Sequence, residues 1–452
     1  MAFLDNELDR EILAVEALSL IEEEKVSERE ALKRISNLHN ITDWKIRSTL
    51  HALLFETLRY RNLIDFIINS VMEKGTIEKI KSVFLRNILR IGVYQIKIIK
   101  KQINLICNTL VELVKKKSSK RAANFVNAIL RSAERFDLES ELDKLNKKEY
   151  LALKYSHPKW FIELLSPYFS DEFIVSLMEQ NNKHLPICIR VNLTINDINE
   201  VIEEFDAENY EYKIYPEFPD MIEIYSSSKP IVRTNAFKRN GIYIQSKSSI
   251  LVSYILDPKP SDLIYDFTAA PGSKTLHIAQ LMGNKGNIIA FDRSLRRLKE
   301  LQIKKGLVKS DLINLINSNS TYLRDCLRYK ADKILVDPPC SGSGTFSNRP
   351  FTKYKSLRGQ LKALTYLQWK LLDTAVNLVK HGGVIVYSTC SITLEENEVI
   401  IRKLLEKYSD IILDKQSPFI GMKGFLGLNE TQRLFPNLHK TEGFFIAKLR
   451  KK

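Results

Sequence analysis

The sequence predicts an α/β protein: a doubly wound, mostly parallel sheet, preceded by an all-helical domain and a small α+β unit. Two patterns carry that expectation. From about Gly241 onward, apolar strand-length runs alternate with helix-length segments at regular spacing, the signature of a parallel sheet covered on both faces. Before that, the chain from Asp5 to about Phe136 contains no proline, and its only glycines are Gly75 and Gly92. Such a stretch can run from helix to helix with few forced breaks.

The helical stretch shows the spacing it needs. Leu50, Leu53, Leu54, Leu58 and Phe66 recur near helical intervals around the polar positions Glu56, Arg59 and Arg61. Residues 125–131 (Phe-Val-Asn-Ala-Ile-Leu-Arg) form a helix with one apolar and one charged side. The charged run from Glu139 to Lys148 reads as a connector, and His157-Pro158-Lys159-Trp160 opens another helical piece. Short strands at Ile187–Val191 and Met221–Tyr225 flank an acidic helix, Ile198–Phe205, giving the α+β unit. The strands of the large sheet are Leu263–Phe267, Asn287–Phe291, Leu312–Ile316, Lys333–Val336 and Val384–Tyr387. Helices Lys274–Met282 and Leu361–Val379 lie between them. The expected domains are 1–140, 141–240 and 241–452.

At 452 residues and 44% hydrophobic content, the chain can bury more than one ordinary core. It has no apolar run long enough to span a bilayer. The opening Met1-Ala2-Phe3-Leu4-Asp5-Asn6-Glu7 carries acids where a signal peptide needs a basic start. Five scattered cysteines without a CxxC pair argue against a disulfide framework and against a zinc site. A cytoplasmic monomer with reduced thiols and no metal is expected.

The net charge of +15 points to a polyanion, and its clustering says more than its total. Between Lys81 and Arg131 lie twelve Lys or Arg and one acid, Glu112. The tightest knot is Lys115, Lys116, Lys117, Lys120 and Arg121. From Arg349 to Lys380, seven Lys or Arg face a single acid, Asp373. Uniformly lysine-rich surfaces would not leave such gaps, so phosphate contact is favoured.

Two cysteines close predicted strands. Cys340 follows Asp337-Pro338-Pro339 and Cys390 follows Tyr387-Ser388-Thr389. Open α/β sheets bind ligands at the carboxyl ends of their strands, so the two thiols are expected in one crevice. The first strand ends in Asp266-Phe267-Thr268-Ala269-Ala270-Pro271-Gly272-Ser273-Lys274-Thr275. Its small residues let the backbone approach a ligand, and the next helix points its N-terminus there. A phosphate-binding P-loop would need glycines at Thr268 and Ser273, and has neither. Asp292 closes the second strand, where an acid accepts hydrogen bonds from a ribose diol. Together these describe a nucleoside crevice without a phosphate loop, which suggests S-adenosylmethionine.

AAPGSKT, DPPCSGSG and YSTCS, in that order, closely resemble the RNA cytosine-5 methyltransferases of the Nol–Nop–Sun family. The resemblance extends over nearly the whole chain. The basic helical N-terminus with FVNAILR resembles the NusB-like RNA-binding domain of the RsmB/Sun type, which acts on 16S rRNA. Arg190-Val191-Asn192 and His439 through Gly443-Phe444-Phe445 also match the family pattern. The resemblance implies a Rossmann-like class I methyltransferase domain with S-adenosylmethionine as cofactor and RNA as partner. Thr268, Ala269, Ala270, Pro271, Gly272, Ser273 and Lys274 would hold its methionine and adenosyl parts, Asp292 its ribose. Asp337 would sit between cofactor and cytosine, Cys390 would be the nucleophile, and Cys340 would assist product release. Asn319 stands where the family has an Asp near the adenine. Ser273 replaces a family glycine, and Arg349-Pro350-Phe351-Thr352-Lys353-Tyr354 replaces an HPDxKW-like segment.

The chemistry needs these residue types. Carbon 5 of cytosine is a poor nucleophile until a thiolate adds at carbon 6. A free thiol is only roughly 3% ionised at pH 7, so the site must stabilise the thiolate. A second thiol can then serve the elimination. DNA cytosine-5 methyltransferases attack with a Pro-Cys cysteine, and the Thr-Cys motif argues against that class. Methylation of rRNA is the leading expectation, with tRNA second. A non-catalytic RNA-binding assembly factor would not need both cysteines and Asp337. Cys107, Cys188 and Cys326 read as packing residues.

Overall fold

The computed structural model describes residues 7–308, 310–355 and 357–452. Asp5 of the opening stretch and the Arg358 side chain of the second basic stretch lie outside the described residues. The chain forms two compact units. The first holds the helices through Asn182 together with the segment Arg349–Lys355. Its main helices are Glu7–Glu24, Glu28–Leu38, Trp44–Arg59, Arg61–Val71, Val83–Val93, Ile103–Lys117 and Lys120–Arg135. Several begin at a side-chain cap: Ser27, Asp43, Ser82 and Ser119 each accept a backbone N–H of the first turn. Leu50, Leu53, Leu54 and Leu58 lie in the shared core, as their spacing predicts. A Cβ at Gly92 would come within 2.5 Å of Leu130, so glycine lets the helices Val83–Val93 and Lys120–Arg135 pack closely.

Three expectations for this unit are corrected. Glu139–Lys148 is no open connector, because it carries the end of a helix, Leu138–Leu142, and the start of another, Lys147–Lys154. Asp137 and Asn146 cap them. Arg59 is 1% exposed rather than on a polar face. It donates to Glu56 and to the Asn181 carbonyl (2.9 Å), which satisfies a buried guanidinium. Lys353 of the second basic stretch is also buried. Its Nζ donates to Ser156 O (3.1 Å), Asn182 Oδ1 (2.8 Å) and Arg59 O (3.3 Å), so it pins Arg349–Lys355 and is not presented to phosphate.

The second unit begins with a four-stranded antiparallel sheet in the order β2-β3-β1-β4. Its strands are β1 (Ile187–Val191), β2 (Glu211–Tyr215), β3 (Phe218–Ser226) and β4 (Ile242–Ile244), with the acidic helix Ile198–Ala207 against them. β4 lies beyond the expected break at 240, and pairs Ile244 with Ile189 of β1. Arg190 and Asn192 of the family pattern are buried at β1 and just after it.

The large sheet contains β5 (Leu263–Asp266), β6 (Asn287–Asp292), β7 (Ile313–Asn317), β8 (Ala331–Val336) and β9 (Val379–Thr389). These five are parallel in the order β7-β6-β5-β8-β9, at the positions the sequence predicts. Four antiparallel strands, unforeseen from the sequence, extend it: β10 (Ile411–Leu413), β11 (Met422–Lys423), β12 (Gln432–Leu434) and β13 (Phe444–Lys451). Alternate residues supply the two faces. Ile264, Leu335, Val386 and Ile446 meet the helices Lys247–Leu256 and Ser273–Leu281. Tyr265, Val336, Tyr387 and Phe445 meet Leu357–Leu378 and Glu398–Lys407. Both faces are covered, as a parallel sheet requires. Among the described residues no helix is long and apolar enough to cross a membrane.

β12 is tied to the helix after β9 by a buried ion pair. The Arg433 and Glu398 side chains are 1% and 0% exposed. Arg433 grips both Glu398 oxygens and donates to Ile392 O (2.9 Å). Glu398→Ala strands the guanidinium and is expected to cost about 3–5 kcal/mol in urea unfolding. Replacing both, as Glu398→Leu with Arg433→Met, should recover most of that loss. A single variant as stable as wild type would contradict the pairing.

Candidate active site

The sheet changes direction between β5 and β8, and the loops leaving β5, β6, β8 and β9 meet at their carboxyl ends. The loop after β5 is held by backbone hydrogen bonds: Phe267 N to Leu335 O (3.1 Å) and Ala269 N to Phe291 O (2.9 Å). Gly272 has φ +99°, and a Cβ there would meet Leu301 at 2.2 Å. Only glycine turns the chain there into the helix Ser273–Leu281. Asp292 accepts from Ala270 N (3.2 Å) and Ser294 N (2.8 Å), joining the end of β6 to the loop. Its carboxylate has acceptor capacity beyond those two bonds. A glycine-turned loop beside a strand-end carboxylate fits a nucleoside bearing no phosphate, and Thr268 to Lys274 with Asp292 would hold it.

Across the crevice, Cys340 Sγ and Cys390 Sγ are 2.9 Å apart and both residues are half-buried. Asp337 lies beside them. Its Oδ2 pairs with Lys274 Nζ (2.7 Å), its Oδ1 accepts from Ser388 Oγ (2.8 Å), and its carbonyl accepts from Thr268 Oγ1 (2.8 Å). Burial works against the Lys274 charge, but the Asp337 carboxylate outweighs it and raises the amine above its usual value, with Cys390 adding to the effect. The hydrogen bond to the Cys390 sulfur, then burial, hold the Cys340 thiol well above the ordinary thiol range. The Cys340 thiol is thus held protonated while the Cys390 sulfur lies against it.

The structure joins Thr268, Lys274, Asp337, Cys340 and Cys390 in one neighbourhood, with Ala270 and Asp292 at its β6 side. Asn319 stands apart. It is exposed, and its Oδ1 accepts from Thr321 N (3.2 Å) as the cap of the turn Ser320–Asp325. Lys115, Lys116, Lys117, Lys120 and Arg121 are all exposed on either side of the joint between two helices of the first unit. Lys115 pairs with Glu112 (2.5 Å) and Lys117 with Glu16 (3.5 Å), surface contacts of little energetic weight. Cys107 and Cys188 are buried, and burial pushes Cys188 up to about 12. Cys326 is a correction: it is exposed at the end of a 3₁₀ turn, so it packs no core. No group of three potential metal ligands occurs among the described residues.

Sequence reasoning passed over Ser388, Glu396 and the carboxyl of Asp266. Among the described residues Asp266 forms no ion pair. It accepts from Thr275 Oγ1 (2.7 Å) and Thr268 N (3.3 Å) beneath the loop. Burial raises it to about 7, with the Asp337 charge adding to the effect against those two hydrogen bonds. An acid raised on folding binds its proton more tightly in the folded state. Its stabilising contribution is complete below its unfolded value and is lost as pH rises through about 7. Asp266→Asn, which keeps the neutral form, should therefore flatten the decline of melting temperature between about pH 4 and pH 7. Parallel pH profiles for variant and wild type would show that Asp266 does not titrate there.

Three family models match consecutive parts of the chain. The NusB family matches residues 9–135, an RsmF/B-like ferredoxin-like domain 157–229, and the 16S rRNA methyltransferase RsmB/F family 253–450. A Bacillus subtilis protein named probable ribosomal RNA small subunit methyltransferase B is 28% identical over 450 residues, 97% of this chain and 98% of that one. The tRNA (cytosine(72)-C(5))-methyltransferase of Pyrococcus horikoshii is 42% identical over 218 residues, 48% of this chain and 54% of its own. A crystal structure of a methyltransferase homolog protein from Pyrococcus horikoshii aligns with TM-score 0.62 and 30% identity, covering 68% of this chain and 100% of that one. The helical, ferredoxin-like and α/β parts follow one another as those models do, and the chain belongs to the RsmB/Sun type of the Nol–Nop–Sun cytosine-5 methyltransferases.

Proposed function

We propose that this protein methylates carbon 5 of a cytidine in small-subunit rRNA, using S-adenosylmethionine, with Cys390 as nucleophile and Cys340 as the releasing thiol. The observation that carries the reading is the pair of strand-end sulfurs 2.9 Å apart beside the Asp337–Lys274 ion pair. Bound in the loop Thr268–Lys274 with its ribose at Asp292, S-adenosylmethionine supplies an electrophilic methyl group. Asn319, which stands after β7 where the family carries an acid, is the residue that would meet the adenine. Cys390, 2.9 Å from the Cys340 sulfur, adds as a thiolate to carbon 6 and makes carbon 5 nucleophilic. Asp337, fixed by Lys274 and Ser388, can hold the cytosine edge by accepting a hydrogen bond.

The close approach of the thiols also suits the second half of the reaction. While Cys390 is free, its sulfur keeps Cys340 protonated. Once Cys390 is bonded to carbon 6, that influence is gone and Cys340 gives up its proton more easily. It can then take the proton from carbon 5 as the Cys390–carbon 6 bond breaks. The lysine-arginine knot Lys115–Arg121 would bind RNA phosphates. The near full-length match to a small-subunit rRNA enzyme, including a NusB-type domain, favours rRNA over tRNA. Two free thiols at the centre of the site fit a cytoplasmic enzyme.

Bisulfite sequencing of 16S rRNA from cells with and without the gene tests the substrate: one cytidine should lose its methyl group, and Cys390→Ala should not restore it. Loss of methylation in tRNA alone would overturn the rRNA assignment. With purified protein, Cys340→Ala should accumulate an RNase-sensitive, slow-migrating adduct on a denaturing gel, whereas Cys390→Ala should give none. The reverse pattern would exchange the two roles.

A further inference from the structure

Glu396 lies in the loop after β9, and its side chain is wholly buried. A carboxylate in such a place is costly unless its acceptor sites are filled. They are filled from the two cysteine loops. Oε1 accepts from Ser341 N (2.8 Å) and Gln368 Nε2 (2.9 Å). Oε2 accepts from Ser341 Oγ (2.6 Å), Ser391 Oγ (2.6 Å) and Thr393 Oγ1 (3.0 Å). Ser341 directly follows Cys340, and Ser391 directly follows Cys390. One carboxylate thus holds the neighbour of each thiol.

Two further side chains brace the same arrangement. Gln368 Nε2 also donates to Pro339 O (3.0 Å), the residue before Cys340. Asn397 accepts from Thr389 Oγ1 (2.6 Å) and donates to Ser391 O (2.9 Å), gripping Cys390 from both sides. The cysteine loops also meet directly through Gly344 N to Cys390 O (3.0 Å). None of these bonds reaches the cofactor loop, so the network acts on the thiols alone.

We propose that Glu396 is a positioning residue that keeps the two sulfurs at reacting distance by holding Ser341 and Ser391. This rests on the reading of Cys340 and Cys390 as the reacting thiols. It adds a carboxylate that touches neither cofactor nor RNA yet sets the geometry of both steps.

The test is Glu396→Gln in the full-length protein, which keeps the shape and removes the charge. Diamide, which takes the two hydrogens from neighbouring thiols and leaves a disulfide, reports their separation without any methylation. The variant should bind S-adenosylmethionine within about threefold of wild type, form the Cys340–Cys390 disulfide roughly tenfold more slowly, and lose about 100-fold in kcat with KM for RNA unchanged. A folded variant with unchanged disulfide rate and kcat would overturn the proposal. So would one whose cofactor binding, KM and kcat fall together, the result of general damage. If Glu396→Gln does not fold, Ser341→Ala combined with Ser391→Ala removes the held groups and leaves the carboxylate. The same slowing is expected there, and an unchanged rate would overturn the proposal. Methylation by Cys390→Ala would sink the thiol assignment while leaving the disulfide result readable.

Discussion

Parallel pairing of β8 with β9, in the register that sets Val336 opposite Tyr387, is the constraint on which the site depends. It ends the two strands level, so that Asp337 meets Ser388 and the following turns bring Cys340 to Cys390. Residues 50 positions apart in sequence become neighbours because two backbone ladders stop together. The strands reach that register because alternate side chains enter opposite cores. A slip by one residue would turn Val336 and Tyr387 out of the core they share and part the sulfurs as well. Packing and chemistry are thus one constraint at this point.

Around that register the charges are arranged in pairs with different tasks. Lys274 and Asp337 neutralise each other across the crevice, linking the cofactor loop to the cysteine loops. Glu396 is met by hydrogen-bond donors rather than by a cation, and Arg433 and Glu398 lock a more remote part of the same loop system. Asp266 is the exception: burial favours its neutral form, which suits a group that supports the loop and need not carry charge. The result is a site whose positively charged amine is paired with the Asp337 carboxylate, with the other buried acids serving as anchors.

Much of this was legible in the sequence, for physical reasons. Four of the five parallel strands, all but the edge strand β7, are largely buried, so they stand out as apolar runs ending in short polar loops. The motif residues Thr268 to Lys274, Asp337, Cys340 and Cys390 sit at those ends. The antiparallel strands β10 to β13 were missed because they are short or mix charge with apolar residues, as in Phe444–Lys451. Glu396, Asn397 and Glu398 are polar in sequence and carried no expectation, yet all three are buried. Nothing local distinguishes an exposed acid from one met by a serine arriving from a loop 55 residues away. Arg59 and Lys353 misled in the same way, since their partners are carbonyls that sequence does not display. Asn319 was placed after the correct strand, but its role as a turn cap was not visible.

In the proposed reaction Cys390, and not Cys340, bonds to the base. RNA carrying 5-fluorocytidine has no proton at carbon 5 to lose, so the adduct formed after methyl transfer cannot resolve. Incubated with the wild-type protein and S-adenosylmethionine, digested and mapped by mass spectrometry, it should leave the methylated fluorinated nucleotide on the peptide containing Cys390. Finding it on the Cys340 peptide, or on neither, would contradict the account.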